Sequence, residues 1–589
     1  MKYIRKYYLK YWYLFLLGGI FTMLADYIQL LVPEFLGSIV DIVSNNENVS
    51  YADIESIIKS VIICAILLFL GRMGWRFAIF NASTRISLNI RHDMFLKSER
   101  LSQRYYHSNK VGNIMSWFSS DIEAIDDFMG FGSIMVVDAI FLSLLAIYKM
   151  VSVDYVLTII IVIPMITLIV WGNKVEKIMS EKWEERQKKF DKLYDFTQEN
   201  FTGIRVIKAF VKEVNEFKAF SKIAKENGDI NLEYAKISVK FDVYIEILIG
   251  VAMTLLLGLG SFFVYCCVNN NPVIIFNHSI NMSAAKLITF IGYVDTLIWP
   301  LIAMGQIFQM RSRYKTSAQR IINFINEDEE IHNSKDAVKL DDCKGKITFN
   351  NMSFIYPDGN TNCLKNVSFE IEPGEMIGIV GKIGSGKTTL VNSLLRLYNI
   401  EKGSIYIDDI DIMDIDITSL RDNIAYVPQD NFLFSDNIRN NIAFSNRKAS
   451  FTQVKEAAEF ADVDDNIVEF AEGYETLTGE RGVTLSGGQK QRISIARAYM
   501  KDAPIMIMDD SVSAVDVKTE ETILNNIYEK RKNKTTIIIA SRVSTVSKLD
   551  KILVLNDGEV EAFDTPSRLL EISPTYQKMV YLQKLESEL

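Results

Sequence analysis

Cysteine is scarce in this chain: five residues in 589, at Cys64, Cys266, Cys267, Cys343 and Cys363, odd in number and scattered. None shows the paired spacing of a zinc site, so neither a disulfide framework nor a structural metal is indicated. Basic excess is also missing. Lys and Arg total 64 against 73 Asp and Glu, a formal charge of -9, which gives no general attraction for nucleic acid. The start is basic, with Lys2, Arg5, Lys6 and Lys10, but no small-residue cleavage site follows the apolar stretch behind it. That stretch reads as a retained span rather than a signal peptide. With 49% apolar residues, disorder and fibrous structure are excluded. A mean hydropathy of +0.11 is too high for an ordinary soluble protein, and 23% charged residues is too many for a pure membrane bundle. Two chemically different parts have been averaged together.

Apolar windows of about twenty residues, the length that crosses a bilayer as a helix, recur before residue 310 and not after it. They run from Tyr11 to Val40, Ile57 to Phe80, Phe128 to Tyr148, Tyr155 to Trp171, Val243 to Val268 and Leu287 to Phe308, which predicts six spans. Orientation follows from Lys and Arg, which short cytoplasmic loops favour. They precede the first span and are missing from the loop between Ser44 and Ser56, so the amino terminus is expected inside the cell. The connections over 81–127 and 172–242 are long and basic. Helical spacing such as Val206, Phe210, Val214 and Phe217 makes them two helical arms extending into the cytoplasm. The expected domains are therefore a membrane domain over 1–325, an acidic, solvated linker over 326–345 around Glu327 to Glu330, and a soluble domain over 346–589.

The soluble part carries nucleotide chemistry. An apolar strand, Met376 to Val380, leads into Gly381-Lys382-Ile383-Gly384-Ser385-Gly386-Lys387-Thr388-Thr389, and a helix is expected from Thr389 to Tyr398. Glycines let backbone amides turn inward around phosphates, Lys387 supplies a cation, and Thr388 offers a hydroxyl to magnesium. A second apolar strand, Ile505 to Met508, ends in Asp509-Asp510, placing the Asp509 carboxylate where it holds Mg2+ beside that loop. Leu485-Ser486-Gly487-Gly488-Gln489 opens a further helix and forms another anion site. Because the chain already has its own phosphate loop, Ser486, Gly487, Gly488 and Gln489 are expected to serve a nucleotide held by another copy of the domain.

With these motifs in order, the chain resembles the ABC exporter half-transporters over nearly its whole length. That resemblance implies a membrane all-α six-helix exporter domain of the type IV ABC transporter fold, followed by an α/β P-loop ATPase domain that binds ATP and Mg2+. It matches Tyr356 to the family's adenine-stacking aromatic, Gln429 to the glutamine that joins Thr388 and Asp509 at the metal, and Ser513 to Asp516 to the D-loop. The exporter-type segment before the signature matches Thr478-Gly479-Glu480-Arg481-Gly482. In the membrane half, Tyr105, Tyr106, Gly112, Ser116 and Asp121 resemble the first arm's coupling region. Gly203 to Phe210 is similar to the second arm, and Tyr293, Leu297, Pro300 and Leu301 to the last span. The implied location is the cell membrane, multi-pass, with the amino terminus and the ATPase domain cytoplasmic.

Two positions depart from the family. Asp510 stands where most members have the glutamate that acts as general base on the attacking water, and Ser541 stands where they have a switch histidine. A shorter carboxylate activates water poorly, and a hydroxyl cannot span to the terminal phosphate as an imidazole does. Slow hydrolysis is expected at a site built from Lys387, Asp509, Asp510 and Ser541. Since the signature is intact, the expected assembly is a heterodimer with a second half-transporter, exporting a small, amphipathic molecule. An ATP-gated channel or regulator, a lipid flippase and an importer share the same motifs. Among the carboxylates in or near spans (Asp26, Glu34, Asp138, Glu246, Asp295), Asp295, flanked by Tyr293 and Trp299, suits either a substrate-facing role toward cationic amphipathic compounds or a helix-packing or interface role.

Overall fold

The computed structural model describes residues 2–45, 51–269, 273–275, 278–357, 359–479, 482 and 484–588. They form two compact units, Met1–Glu99 with Val111–Glu327 and Arg100–Lys110 with Asp328–Leu589.

The first unit is helical apart from two short strands, Ile274–Ile275 and His278–Ser279. Its long helices are α1 (Lys2–Lys10), α2 (Trp12–Asn45), α3 (Tyr51–Arg100), α4 (Ser133–Val153), α5 (Tyr155–Thr202), α6 (Glu213–Val268) and α7 (Ala284–Ile325). Among the described residues, five helical stretches are long and apolar enough to cross a membrane: Trp12–Ser44, Ile54–Arg100, Val111–Val153, Glu213–Val268 and Ala284–Ala303. The remaining expected span, Tyr155 to Trp171, opens the 48-residue helix α5. Its apolar described part is Tyr155–Pro164, and most side chains from 165 to 171 lie outside the described residues. Asp154 separates α4 from α5 by accepting from the Leu157 amide at 2.9 Å, an N-cap that satisfies an amide orphaned at the helix start. Apolar faces of α2, α4, α5, α6 and α7 close on one core that includes Leu30, Met150, Leu157, Leu256 and Phe290. Glu34 is held within the bundle by Lys149 Nζ and Tyr293 Oη, both at 2.7 Å, so its charge is paired.

The second arm differs from its expected helical stripe. A short helix, Ile204–Ala209, stops before α6 begins at Glu213, and Val211 takes φ +52° between them. A β-branched residue in that region interrupts any regular helix. Val206, Phe210, Val214 and Phe217 therefore straddle a turn, and all four are exposed.

The second unit is built on two sheets. Strands β1 (Ile347–Ile355), β2 (Asn362–Ile371), β4 (Ile405–Ile407) and β5 (Ile410–Asp411) form an antiparallel sheet in the order β2-β1-β4-β5, whereas β3 (Met376–Gly381) lies in the other sheet. That six-stranded sheet also contains β6 (Ile424–Val427), β7 (Ile505–Asp509), β8 (Thr535–Ile539), β9 (Lys551–Asn556) and β10 (Glu559–Asp564), in the order β10-β9-β3-β8-β7-β6. Strands β3, β6, β7, β8 and β9 run parallel, and β3, β7 and β8 are buried at every residue. This burial explains their unbroken apolar runs. The acidic linker is not simply solvated. Glu330 accepts from Ser102 Oγ at 2.7 Å and Arg104 Nη1 at 2.6 Å, and Leu340 is buried.

Candidate nucleotide site

In parallel sheets the loops at the strands' carboxyl ends gather into one crevice. Register places the two central motifs there together. Ile539 of β8 pairs with Ile379 of β3 on one side and with Asp509 of β7 on the other, so Asp509 sits beside the place where β3 runs out into the phosphate loop. Helix α8 (Lys387–Leu394) begins inside the motif, two residues before its expected start, and ends at Leu394, because Arg396 turns to φ +48°. Gly386 caps it at φ +99°. A Cβ there would lie 2.9 Å from the Cys363 carbonyl oxygen, so both conformation and space require glycine.

The loop's side chains divide by burial. Lys382 and Ile383 are exposed, while Ser385 and Thr389 are buried. Lys387 Nζ donates to the carbonyls of Gly381 at 2.8 Å and Lys382 at 3.0 Å, which holds the ammonium over the loop. Burial lowers its pKa, and Asp509 and Asp510 oppose that shift. Asp509 is pushed above the ordinary carboxylate range by burial, with Asp510 adding to the rise and the Thr388 hydroxyl and Lys387 counteracting it. Among the described residues, Ser385 Oγ and Asp509 Oδ2 are buried without a hydrogen-bond partner. Two orphaned oxygens beside a lysine and a hydroxyl fit a magnesium-bound triphosphate, since buried polar atoms otherwise carry a desolvation cost.

Tyr356 is half-buried. Its ring is packed edge-on by Phe354 and Tyr398, with centroids at 5.1 and 5.2 Å, and its hydroxyl lies 3.0 Å from Thr389 Oγ1. The aromatic matched to adenine is thus tied to the phosphate loop. Gln429 is exposed on the turn after β6, and no described contact joins its side chain to Asp509 or Thr388. Asp510 takes φ +47°; its amide donates to the Ile539 carbonyl at 3.0 Å, and its Oδ1 accepts from Ser541 Oγ at 3.2 Å.

The signature opens a helix, α9 (Gly487–Met500), through a capping box. Ser486 Oγ accepts from the Gln489 amide at 3.3 Å, and Gln489 Oε1 accepts from the Ser486 amide at 2.9 Å. Gly487 and Gly488 form the first turn. Glu480 and Arg481 of the preceding segment lie outside the described residues. Gln491 has a role that the motif reading did not assign. It is buried, its Nε2 donates to the Asp510 carbonyl and its Oε1 accepts from the Ala514 amide, both at 3.1 Å. Its only sequence signal was its place two residues after the signature.

In the membrane unit Asp295 is exposed. Its flanking aromatics serve other carboxylates: Tyr293 donates to Glu34, and Trp299 Nε1 donates to Asp138 Oδ2 at 2.5 Å.

Comparison with known proteins follows this division. Residues 364–513 match the ABC transporter family model, and residues 15–301 match the ABC transporter transmembrane region. The multidrug resistance-like ATP-binding protein MdlA of Buchnera aphidicola subsp. Schizaphis graminum is 32% identical over 588 residues, 100% of this chain and 98% of that protein. MdlA of Escherichia coli is 31% identical, covering 99% and 96%. The probable multidrug resistance ABC transporter ATP-binding/permease protein YheI of Bacillus subtilis is 31% identical, covering 98% and 96%. Among solved structures, a bacterial Atm1-family ABC exporter with ATP bound shares the fold at a TM-score of 0.80 and 23% identity, over 99% of each chain. The chain belongs to the ABC transporter family, as a half-transporter whose helical membrane region and ATPase domain occupy one polypeptide.

Proposed function

We propose that this chain drives export of a small, amphipathic molecule across the cell membrane as the degenerate-site half of a heterodimer. The observation that carries the reading is the pairing of Ser541 Oγ with Asp510 Oδ1. Both residues differ from the family's usual pair, and each occupies the other. In hydrolysis a water attacks the terminal phosphate and passes its proton to a base. Asp510 is one methylene short of the usual base and is engaged by a hydroxyl, so the site clamps ATP and cleaves it slowly. Mg2+, when bound, neutralises phosphate charge; Thr388, Asp509 and Gln429 would hold it.

A partner is supported from two directions. Ser486, Gly487 and Gly488 present a helix start capped by its own serine, an anion site beyond what the chain's own loop requires. At the second arm's turn, Phe201, Val206, Phe210, Val211 and Phe217 are all more than 60% exposed, and large apolar side chains exposed together along one short segment suit a protein contact. ATP held between two such domains favours their closed state by its differential affinity. The two arms would transmit closure to the spans, and one competent site resets the cycle. Relatives named as multidrug resistance proteins support a drug-like cargo, and the basic amino terminus supports cytoplasmic placement of both ends.

The test is steady-state phosphate release by the purified chain alone against the chain coexpressed with the half-transporter from the neighbouring reading frame. The pair should turn over at least about 10²-fold faster. Equal turnover by this chain as a homodimer removes the second subunit from the reading.

A further inference from the structure

The membrane unit carries a half-open cavity of about 320 Å3 whose wall includes Asp26, Arg72, Trp75, Arg76, Asp138 and Trp299. This is the small end of the range for ligand cavities, ~300–1,000 Å3, so it suits a headgroup rather than a whole amphiphile. Asp26 lies within the apolar stretch Trp12–Ser44, where a carboxylate is costly unless it has a task. It is 4% exposed, and its Oδ2 has no hydrogen-bond partner among the described residues. Asp138 lies within hydrogen-bonding reach of it and already accepts from the Trp299 indole. Asp26 is buried and Asp138 half-buried, and two carboxyl groups side by side among membrane-spanning helices need a proton or another cation between them.

Opposite charge lines the same cavity on the exposed side. Arg72 and Arg76 are both exposed; Arg72 Nη2 donates to Gln29 Oε1 at 3.2 Å, and the Arg76 guanidinium lies 5.3 Å from the Trp75 ring centroid. Neither guanidinium forms a described salt bridge with Asp26 or Asp138. The cavity therefore offers an anionic floor with Asp26 buried and Asp138 half-buried, a cationic rim and indole walls. A simple organic cation would satisfy the floor and be opposed by the rim. A simple anion would meet the reverse. The complement to both is a ligand that carries both charges, with its ammonium innermost.

We propose that this cavity binds a zwitterionic headgroup, its primary ammonium seated between Asp26 and Asp138 and its phosphate or carboxylate on the Arg72 and Arg76 rim. As a substrate site it rests on the export reading; as a binding site it does not. Asp295, the carboxylate singled out from sequence, has no part in it.

The experiment is calorimetric titration of the full chain, with whatever half-transporter copurifies, in detergent micelles. Four probes separate the charges: dioctanoyl phosphatidylethanolamine carries both, octylamine the ammonium alone, dioctanoyl phosphatidic acid the phosphate alone, and phosphoethanolamine both without a tail. The first should bind saturably and at least about tenfold more tightly than octylamine or phosphatidic acid. Arg72→Gln should bring it down to the octylamine value, and Asp26→Asn should abolish binding of both amines. If phosphoethanolamine displaces the lipid, a soluble zwitterion suffices; if it does not, the source is a lipid headgroup. Both results uphold the site. Octylamine or phosphatidic acid binding as tightly as the zwitterion to the unmodified protein overturns it, whether or not the variants fold. ATP-dependent movement of labelled phosphatidylethanolamine in vesicles then separates the two readings. Binding without movement sinks export of this ligand and leaves the site, while drug export with no zwitterion bound leaves export and sinks the site.

Discussion

Ser541 Oγ donates to Asp510 Oδ1 at 3.2 Å, so the two residues on which the proposed slow site rests are in contact with each other. Changing one alone leaves the other out of place. Asp510→Glu with Ser541→His should raise the turnover of this site by about 10²-fold, and either single change by much less. Phosphate release by the chain alone, with ATP affinity measured alongside, checks this. Equal gains from a single and the double substitution would show that the contact has no bearing on catalysis.

Glycine at 386 is demanded twice, by φ +99° and by a would-be Cβ 2.7 Å from Leu364 Cδ2 and 2.9 Å from the Cys363 oxygen. Gly386→Ala must move either β2 or the start of α8. The expected outcome is ~1–3 kcal/mol of lost stability together with loss of nucleotide binding, read by thermal unfolding and by titration with a fluorescent ATP analogue. Gly384→Ala, where a Cβ meets nothing within 4 Å, should perturb nucleotide binding without the same packing loss.

What the sequence made legible were features whose signal is local. The phosphate loop, the strand before it and the carboxylates at the end of β7 each follow from a short run of residue types. What escaped depended on distant partners. The proximity of Ser541 to Asp510 requires β8 to lie beside β7, a sheet order that no short window contains. Gln491 joins the Asp510 carbonyl to the Ala514 amide, but its residue type gives no hint of that. In the membrane half, Tyr293 and Trp299 flank Asp295 in sequence, yet in space they serve Glu34 and Asp138. The stripe from Val206 to Phe217 had helical spacing, but spacing cannot register a turn at Val211.

Arg531 is 1% exposed, and burial holds its guanidinium down at about 10. It donates to Thr536 Oγ1 at 3.2 Å and to the carbonyls of Ala503, Pro504 and Thr535 at 3.1, 3.3 and 3.4 Å. These acceptors lead into the starts of β7 and β8, the strands that deliver Asp509 and approach Ser541. Arg531→Met keeps the bulk but leaves buried carbonyls unpaired, so the domain should lose about 3 kcal/mol. Chemical denaturation of the full chain, followed by a probe in the ATPase domain, measures it.

Asp509 has a raised pKa because burial disfavours its charge. It takes up a proton at a higher pH when folded than when unfolded. Above that range its buried charge costs stability, and the cost disappears as falling pH neutralises it. A divalent cation needs the charged form. Magnesium-dependent ATP binding should therefore fall off on the acid side at a pH above the ordinary aspartate value of about 3.9, while magnesium-free binding changes less. Asp509→Asn should raise apo stability by about 1 kcal/mol and remove the magnesium dependence. Calorimetry with and without Mg2+ across the acid range distinguishes this from general unfolding.

Ser486 gives the sharpest test of asymmetry, because its consequences fall on two different sites. Within this chain its hydroxyl caps α9, so Ser486→Ala should cost about 1 kcal/mol, and the reciprocal bond from its own amide to Gln489 limits the loss. That change should leave ATP binding to the loop around Lys387 intact. In the proposed pair, however, the same turn completes the partner's nucleotide pocket, where removing one donor to the transferring phosphate costs about 10²- to 10³-fold. Lys387→Ala acts the other way: it weakens nucleotide binding in this chain and leaves the faster site its lysine. Turnover of the coexpressed pair should thus fall far more with Ser486→Ala than with Lys387→Ala. The reverse order would place the competent site on this chain's own loop, and the substitutions at 510 and 541 would then have to be compatible with full activity.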